Sequence, residues 1–166
     1  MNRQELDQEL RQAGAEELLQ SAQLARLAYA GGDGFPRVIP IGFHWDGERI
    51  VICTATTAPK VRALAARREV AVTIDAGNTP SEARSLLLRG IATVAIVEGV
   101  PDEYLAGARK SMDAEQVEAF AGAVQAMYPQ MARISIEPRW ARFYDFGAGR
   151  VPSFLAKLAD AAFSSG

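Results

Sequence analysis

The chain has 166 residues, 49% of them apolar and 23% charged, with a formal net charge of −2. That size and balance suit one domain, 1–166, with a buried core, and argue against disorder, a membrane-embedded class, and binding to nucleic acid or an anionic membrane surface. One cysteine, Cys53, and one histidine, His44, rule out an internal disulfide and give no basis for a dedicated zinc site.

Met1 to Asp7 are polar and charged, without the apolar core of a secretory signal, and no run reaches the ~18 apolar residues of a membrane span, so a soluble cytoplasmic protein is expected. Residues 3–22 carry Leu6, Leu10, Leu18 and Leu19 at amphipathic spacing, with Gly14 a candidate break in the helix. Leu24–Ala30, Arg37–Phe43 and Arg49–Thr54 read as a three-stranded meander turning at Gly31-Gly32-Asp33-Gly34 and at Asp46-Gly47. Pro59 then opens a short helix that Lys60 to Arg67 continue.

Glu69–Asp75 alternates Val70, Val72 and Ile74 as a strand, and Leu86–Val97 forms a longer one in which Gly90 marks a bulge or a close backbone approach. The apolar run Leu86-Leu87-Leu88, together with free strand edges, points to a homodimer. Pro101–Met127 reads as two helices meeting near Ser111-Met112, the second capped by Asp113. Met131–Phe146 is the last strand, broken at Pro138. It places Trp140, Arg142 and Tyr144 on one face and Arg139, Ala141 and Phe143 on the other. The tail, about 150–166, carries a short helix from Pro152 to Phe163.

Six strands joined mostly by hairpins, with flanking helices, predict a mainly β, α+β fold: an antiparallel six-stranded split β-barrel. No G-x-G-x-x-G follows any strand, which argues against a dinucleotide-binding sheet.

The most informative segment is 37–64. Thr54, Thr56 and Thr57 lead into a helix opened by Pro59 and Lys60, bringing hydroxyls, free backbone N–H groups and a cation together as a phosphate cradle. A β-edge and turn followed by a solvated basic helix face would read the same way. His44 has no carboxylate or nucleophile placed beside it by any motif, which points to a structural role at a hairpin end, and Cys53 sits in an apolar strand as a buried, inert thiol.

Arg37-Val38-Ile39-Pro40-Ile41-Gly42, then Ile52-Cys53-Thr54-Ala55-Thr56-Thr57-Ala58-Pro59-Lys60-Val61-Arg62-Ala63-Leu64, resembles the pyridoxamine 5'-phosphate oxidase-like split-barrel flavoproteins, and Met131–Phe146 resembles their final strand. The resemblance implies a homodimer holding flavin mononucleotide (FMN), with Arg37, Val38, Ile39 and Pro40 along the cofactor. It puts Cys53 and Thr54 at the ring system, Thr56, Thr57 and Lys60 at the phosphate, and Ser85 and Trp140 lining the cleft across the subunit interface. Redox chemistry would then belong to the flavin, with no catalytic side chain and a small organic molecule as substrate.

Three departures argue against genuine pyridoxamine phosphate oxidase activity. Pro59 stands where the oxidase has a second basic phosphate ligand, and Ser85 stands where a glutamine is expected. Arg150-Val151-Pro152-Ser153 replaces an Arg-x-His-Asp sequence, leaving Arg150 as a solitary ligand or an ordinary surface arginine. A deazaflavin coenzyme is the alternative cofactor. Ala58, where such relatives carry an extra basic residue, favours FMN. A non-catalytic flavin-binding or sensing protein, and a dimeric module without cofactor, remain as further readings.

Overall fold

In the computed structural model, which describes residues 1–163, the alternating apolar segments form seven strands rather than six. They are β1 (Leu24–Ala30), β2 (Pro36–Gly42), β3 (His44–Trp45), β4 (Ile50–Ala55), β5 (Glu69–Ala76), β6 (Arg84–Glu98) and β7 (Gln130–Asp145). The extra strand is the two-residue β3, which is too short to carry an alternating pattern.

All pairings are antiparallel, in the order β2-β1-β5-β6-β7-β4-β3. Residues 24–54 therefore do not form a meander, because β2 and β3 lie on opposite edges. Yet Phe43 alone separates those edges in sequence. Laid flat, seven strands would hold their edges nearly ~29 Å apart, whereas two consecutive Cα–Cα steps reach about 7.6 Å at most. The sheet is therefore coiled until its edges approach at Phe43. Among the described residues no ladder joins β2 to β3, so by its hydrogen bonds the sheet is open and not a closed barrel.

The coil bends where β6 and β7 slip register between Arg89 and Gly90, leaving Arg139 as the extra residue of a bulge. Pro138 thus interrupts the ladder locally without ending the strand, since a bulge tolerates a missing N–H. A Cβ on Gly90 would lie 2.6 Å from the Glu137 carbonyl oxygen, which is the close backbone approach foreseen for this glycine.

Leu27, Val72, Ile74, Leu86, Leu88, Ile134 and Ile136 line the concave side, where Leu6 of α1 (Arg3–Leu10) and Leu18 and Leu19 of α2 (Ala13–Ser21) fill the core. The helix breaks at Arg11–Gln12 and not at Gly14. Gly14 lies inside α2 for packing, because a Cβ there would fall 2.5 Å from the Phe143 ring.

α3 (Pro59–Ala66) buries Leu64 in the same core. α4 (Asp102–Ala108) and α5 (Ala114–Met127) cover the opposite face of β4 and β7, where Val51, Cys53 and Met131 pack with Tyr104 and Tyr128. Asp113 caps α5 in a reciprocal pair with Gln116, as its sequence predicts. α6 (Ser153–Phe163) follows β7.

Candidate functional site

Strand β4 delivers the loop that the sequence singles out. Pro59 occupies the first turn of α3, and the N-cap is Ala58, whose side chain makes no capping bond. Pro59 has no N–H and the Val61 N–H donates to the Ala58 carbonyl at 2.9 Å, so of the first three helical positions only the Lys60 N–H is left for another acceptor. Thr56 and Thr57 line a groove of about 890 Å³ together with Arg62, Gly31 and Gly32. Arg37 borders it: its guanidinium carbon would lie 3.2 Å from a Cβ on Gly31, and its Nη2 donates to Asp33 at 2.6 Å. That bond, with a second from the Phe35 N–H, holds the Asp33 carboxyl below its ordinary range.

Lys60 is half-buried, and burial lowers its ammonium from the usual lysine range. Among the described residues it has no hydrogen bond or ion pair, and it lines neither this groove nor the neighbouring cavity. Arg62, after Lys60 the next candidate that the sequence offers for a phosphate, lines the groove, and so does Arg67 at the far end of the helix.

Cys53, Thr54 and Ala55 belong to a second cavity, of about 470 Å³, between β4 and the α4–α5 pair. Its floor is apolar, and burial pushes the Cys53 thiol up to about 11. Tyr104 is raised by burial as well. Burial opposes ionisation of Glu103, but two hydrogen bonds from Arg133 and the nearby His44 hold it below the ordinary carboxylate range. Since Ala55 borders one cavity and Thr56 the other, the strand end is shared between them.

The remaining predicted residues lie elsewhere on the chain. Val38 and Pro40 are exposed on the edge strand, while Ile39 packs towards the core. Ser85 pairs with Tyr144, and Trp140 pairs with Arg89, whose guanidinium lies 4.6 Å from the indole. Along β7, Trp140 is eight positions from Ala132, the partner of Thr54. That is on the order of 26 Å of extended strand. Within one chain, then, Ser85 and Trp140 share no cavity with the threonine loop.

Arg150 is not an ordinary surface residue. It donates to Glu9 at 2.6 Å and to the Phe143 carbonyl at 2.8 Å, and buried Glu9 also accepts from Arg142 and from the Phe143 N–H. Nor is Leu86-Leu87-Leu88 an exposed run. Leu86 and Leu88 point into the core, and Leu87 alone faces outward. His44 sits in the β3–β4 hairpin opposite Val51, in the structural position expected of it.

Sequence reasoning missed Glu9, Lys110 and the Glu103–Arg133 pair. Lys110 reaches back to the Leu19 and Ala22 carbonyls at 3.0 and 3.2 Å, with its ammonium 3.5 Å from the Phe43 ring centre. Each contact joins residues far apart in sequence, so no local pattern announces it. Among the described residues, no helix is long and apolar enough to cross a membrane, and no cluster of metal-ligating side chains occurs.

A coiled antiparallel sheet whose fourth strand ends in a hydroxyl-rich loop at an uncapped helix start defines a mainly β, split-barrel class of protein. The chain belongs to the pyridoxamine 5'-phosphate oxidase family, whose model matches residues 11–133. No curated protein matches the sequence. Among solved structures, the conserved hypothetical protein Rv2991 from Mycobacterium tuberculosis is 19% identical with a TM-score of 0.67, over 85% of this chain and 88% of that one. An F420 reductase is 25% identical with a TM-score of 0.53, over 76% and 94%. HutZ, the heme storage protein from Vibrio cholerae, is 16% identical with a TM-score of 0.54, over 78% and 90%.

Proposed function

We propose that the chain is a cytoplasmic, homodimeric oxidoreductase that holds FMN and acts on a small organic molecule. The observation that carries this reading is the groove at the β4–α3 junction. It combines the hydroxyls of Thr56 and Thr57, the uncapped start of α3 and the cation Arg62, with Arg37, paired to Asp33, at its border. Lys60, desolvated and without a partner among the described residues, sits one position into the same helix. An anionic phosphate suits that set, because the Lys60 N–H, the positive end of the helix dipole and charge-assisted bonds all favour it. Flavin bound there would supply the hydride chemistry.

The homodimer is supported by the outer face of the sheet. Val38, Ala28, Ala71, Arg89 and Trp140 form one cross-strand row. The row runs from small side chains to large, so a two-fold axis would set the large end of one chain over the small end of the other. The same arrangement would bring Ser85 and Trp140 of one chain towards the loop of its partner. Pro36 and Pro40 blunt edge strand β2, which favours association through the face over addition of strands.

Engagement of Arg150 by Glu9 supports a substrate other than pyridoxamine 5'-phosphate, since that cation is already satisfied. The F420 reductase among the similar structures favours a second reading, a deazaflavin coenzyme in the same groove. Ala58, in place of an added cation, weighs against it.

The test is titration of the protein with FMN, riboflavin and a deazaflavin coenzyme, followed by flavin fluorescence. FMN should bind more tightly than riboflavin, which lacks the phosphate. Arg62→Ala should weaken FMN by about 1.5–3 kcal/mol and leave riboflavin unchanged, and Lys60→Ala, whose side chain lies outside the groove, should weaken it less. Equal affinity for FMN and riboflavin would overturn the phosphate cradle, and tighter binding of the deazaflavin would select the second reading.

A further inference from the structure

We propose that the cavity between α1, α2 and the β3–β4 hairpin binds a small ammonium compound with an apolar body and a carbonyl acceptor, such as the amide of an apolar amino acid. The cavity holds about 520 Å³, within the range of small-molecule sites. It shares no lining residue with the β4–α3 groove or with the cavity beneath α4 and α5, so it stands apart from the flavin reading.

The floor selects an apolar body and an acceptor. Leu6, Trp45 and Pro138 are buried there and Leu10 is half-buried, a surface that takes an apolar group. Trp45 is 7% exposed, yet its indole N–H has no acceptor among the described residues. Among them the Ser135 hydroxyl is the one side-chain polar group both sealed from solvent and unpartnered, so the indole N–H is not sealed. It opens into the cavity that Trp45 lines. A buried tryptophan ordinarily satisfies that donor, and a carbonyl oxygen on a ligand does so here.

The mouth sets the sign of the charge. Arg3 is engaged by Asp7 at 3.0 Å, whereas Arg11, Glu16 and Glu48 have no ion pair among the described residues. Two carboxylates from different elements, against one guanidinium, favour a cation over an anion. All three are exposed, so each adds little affinity and the floor supplies most of it. The walls are set before a ligand arrives. Asp46 accepts from the Glu48 and Arg49 N–H groups at 2.9 and 2.7 Å, which fixes the hairpin turn, and the reciprocal Asn2–Glu5 pair caps α1. A preformed cavity spares the ligand the cost of ordering it.

The experiment uses the full chain labelled with ¹⁵N at the tryptophan indoles, which gives two N–H signals, Trp45 and Trp140, assigned with Trp140→Phe. At about pH 6.5, where an α-amino group is protonated, leucinamide should move the Trp45 indole proton downfield and leave that of Trp140 in place. Isoamylamine, the same body and cation without the carbonyl, should bind about two- to tenfold more weakly, the loss of one hydrogen bond, and cause no downfield shift. 4-Methylpentanoate, which keeps an acceptor but is an anion, should bind more weakly than leucinamide, and Glu16→Gln combined with Glu48→Gln should narrow that gap. A Trp45 signal that stays in place, or parallel movement of Trp140, would overturn the proposal. So would equal binding of leucinamide and isoamylamine, or tighter binding of the anion. Added FMN should leave the shifted Trp45 signal unchanged; displacement of leucinamide by FMN would assign the cavity to the flavin and end this reading.

Discussion

Arg150 Nη2 lies 2.6 Å from Oε1 of Glu9, joining the segment after the chain's last strand to its first helix. Glu9 is 8% exposed, and its two oxygens take bonds from Arg142, Arg150 and the Phe143 N–H. Glu9→Ala would leave a buried backbone donor and the Arg142 guanidinium unpaired, and Arg150 with only the Phe143 carbonyl. Because both arginines are partly in water, the expected loss is about 2–3 kcal/mol, below that of a fully buried pair. Arg150→Ala should cost less, since Arg142 still serves Glu9. Urea unfolding of both variants checks the order, and an equal or reversed order would contradict the hub role.

Lys110 gives a pH signature of definite sign. Burial pushes its ammonium down to about 8 in the folded chain, against 10.5 ordinarily. Between those values the unfolded chain holds more protons, so this group's contribution to stability rises with pH there. The stability advantage of wild type over Lys110→Met should therefore widen from pH 8 to about pH 10.5 and stay flat below pH 7. Denaturant midpoints measured across that range decide it. A gap that narrows with alkalinity would mean that the two carbonyls and the Phe43 ring hold the proton against the burial penalty.

Gly90→Ala is expected to destabilise strongly although alanine suits extended backbone. The added Cβ would meet the Glu137 carbonyl oxygen at 2.6 Å, and backbone cannot swing aside as a side-chain end can. A loss of about 2 kcal/mol or more follows from overpacking of this kind. Thermal unfolding of the variant beside Gly122→Ala, where a Cβ meets nothing within 4 Å, isolates the effect. Equal melting temperatures would show that the bulge relaxes.

Val38 tests the proposed dimer. It is 65% exposed and heads the row that reaches Trp140. Val38→Glu should leave the monomer fold intact, because the side chain points out of an edge strand. If the face is the interface, the variant should shift sedimentation from dimer to monomer at micromolar concentration. A monomeric wild type would remove the dimer, and a variant that stays dimeric would move the interface off this face.

Much of the fold was legible in the sequence because it is written locally. Period-two burial along Val70, Val72 and Ile74, Pro59 at the start of α3, and Asp113 with Gln116 at the start of α5 are each settled within a few residues. The loop of Thr54, Thr56 and Thr57 was visible for the same reason. The order of its cations was not: Arg62, second to Lys60 in the sequence reading, lines the groove because of the helical phase of α3 against the Gly31-Gly32 turn, and Lys60 lies outside it. What only the tertiary structure decided was the relation between distant segments. The strand order put β2 and β3 on opposite edges, and coiling of the sheet brought those edges together at Phe43, turned Leu86 and Leu88 inward, and drew Arg150 to Glu9. The physical reason is that pairing partners and the sense of burial are set by where the sheet closes on its core. That closure is a property of the whole chain, and no window of sequence contains it.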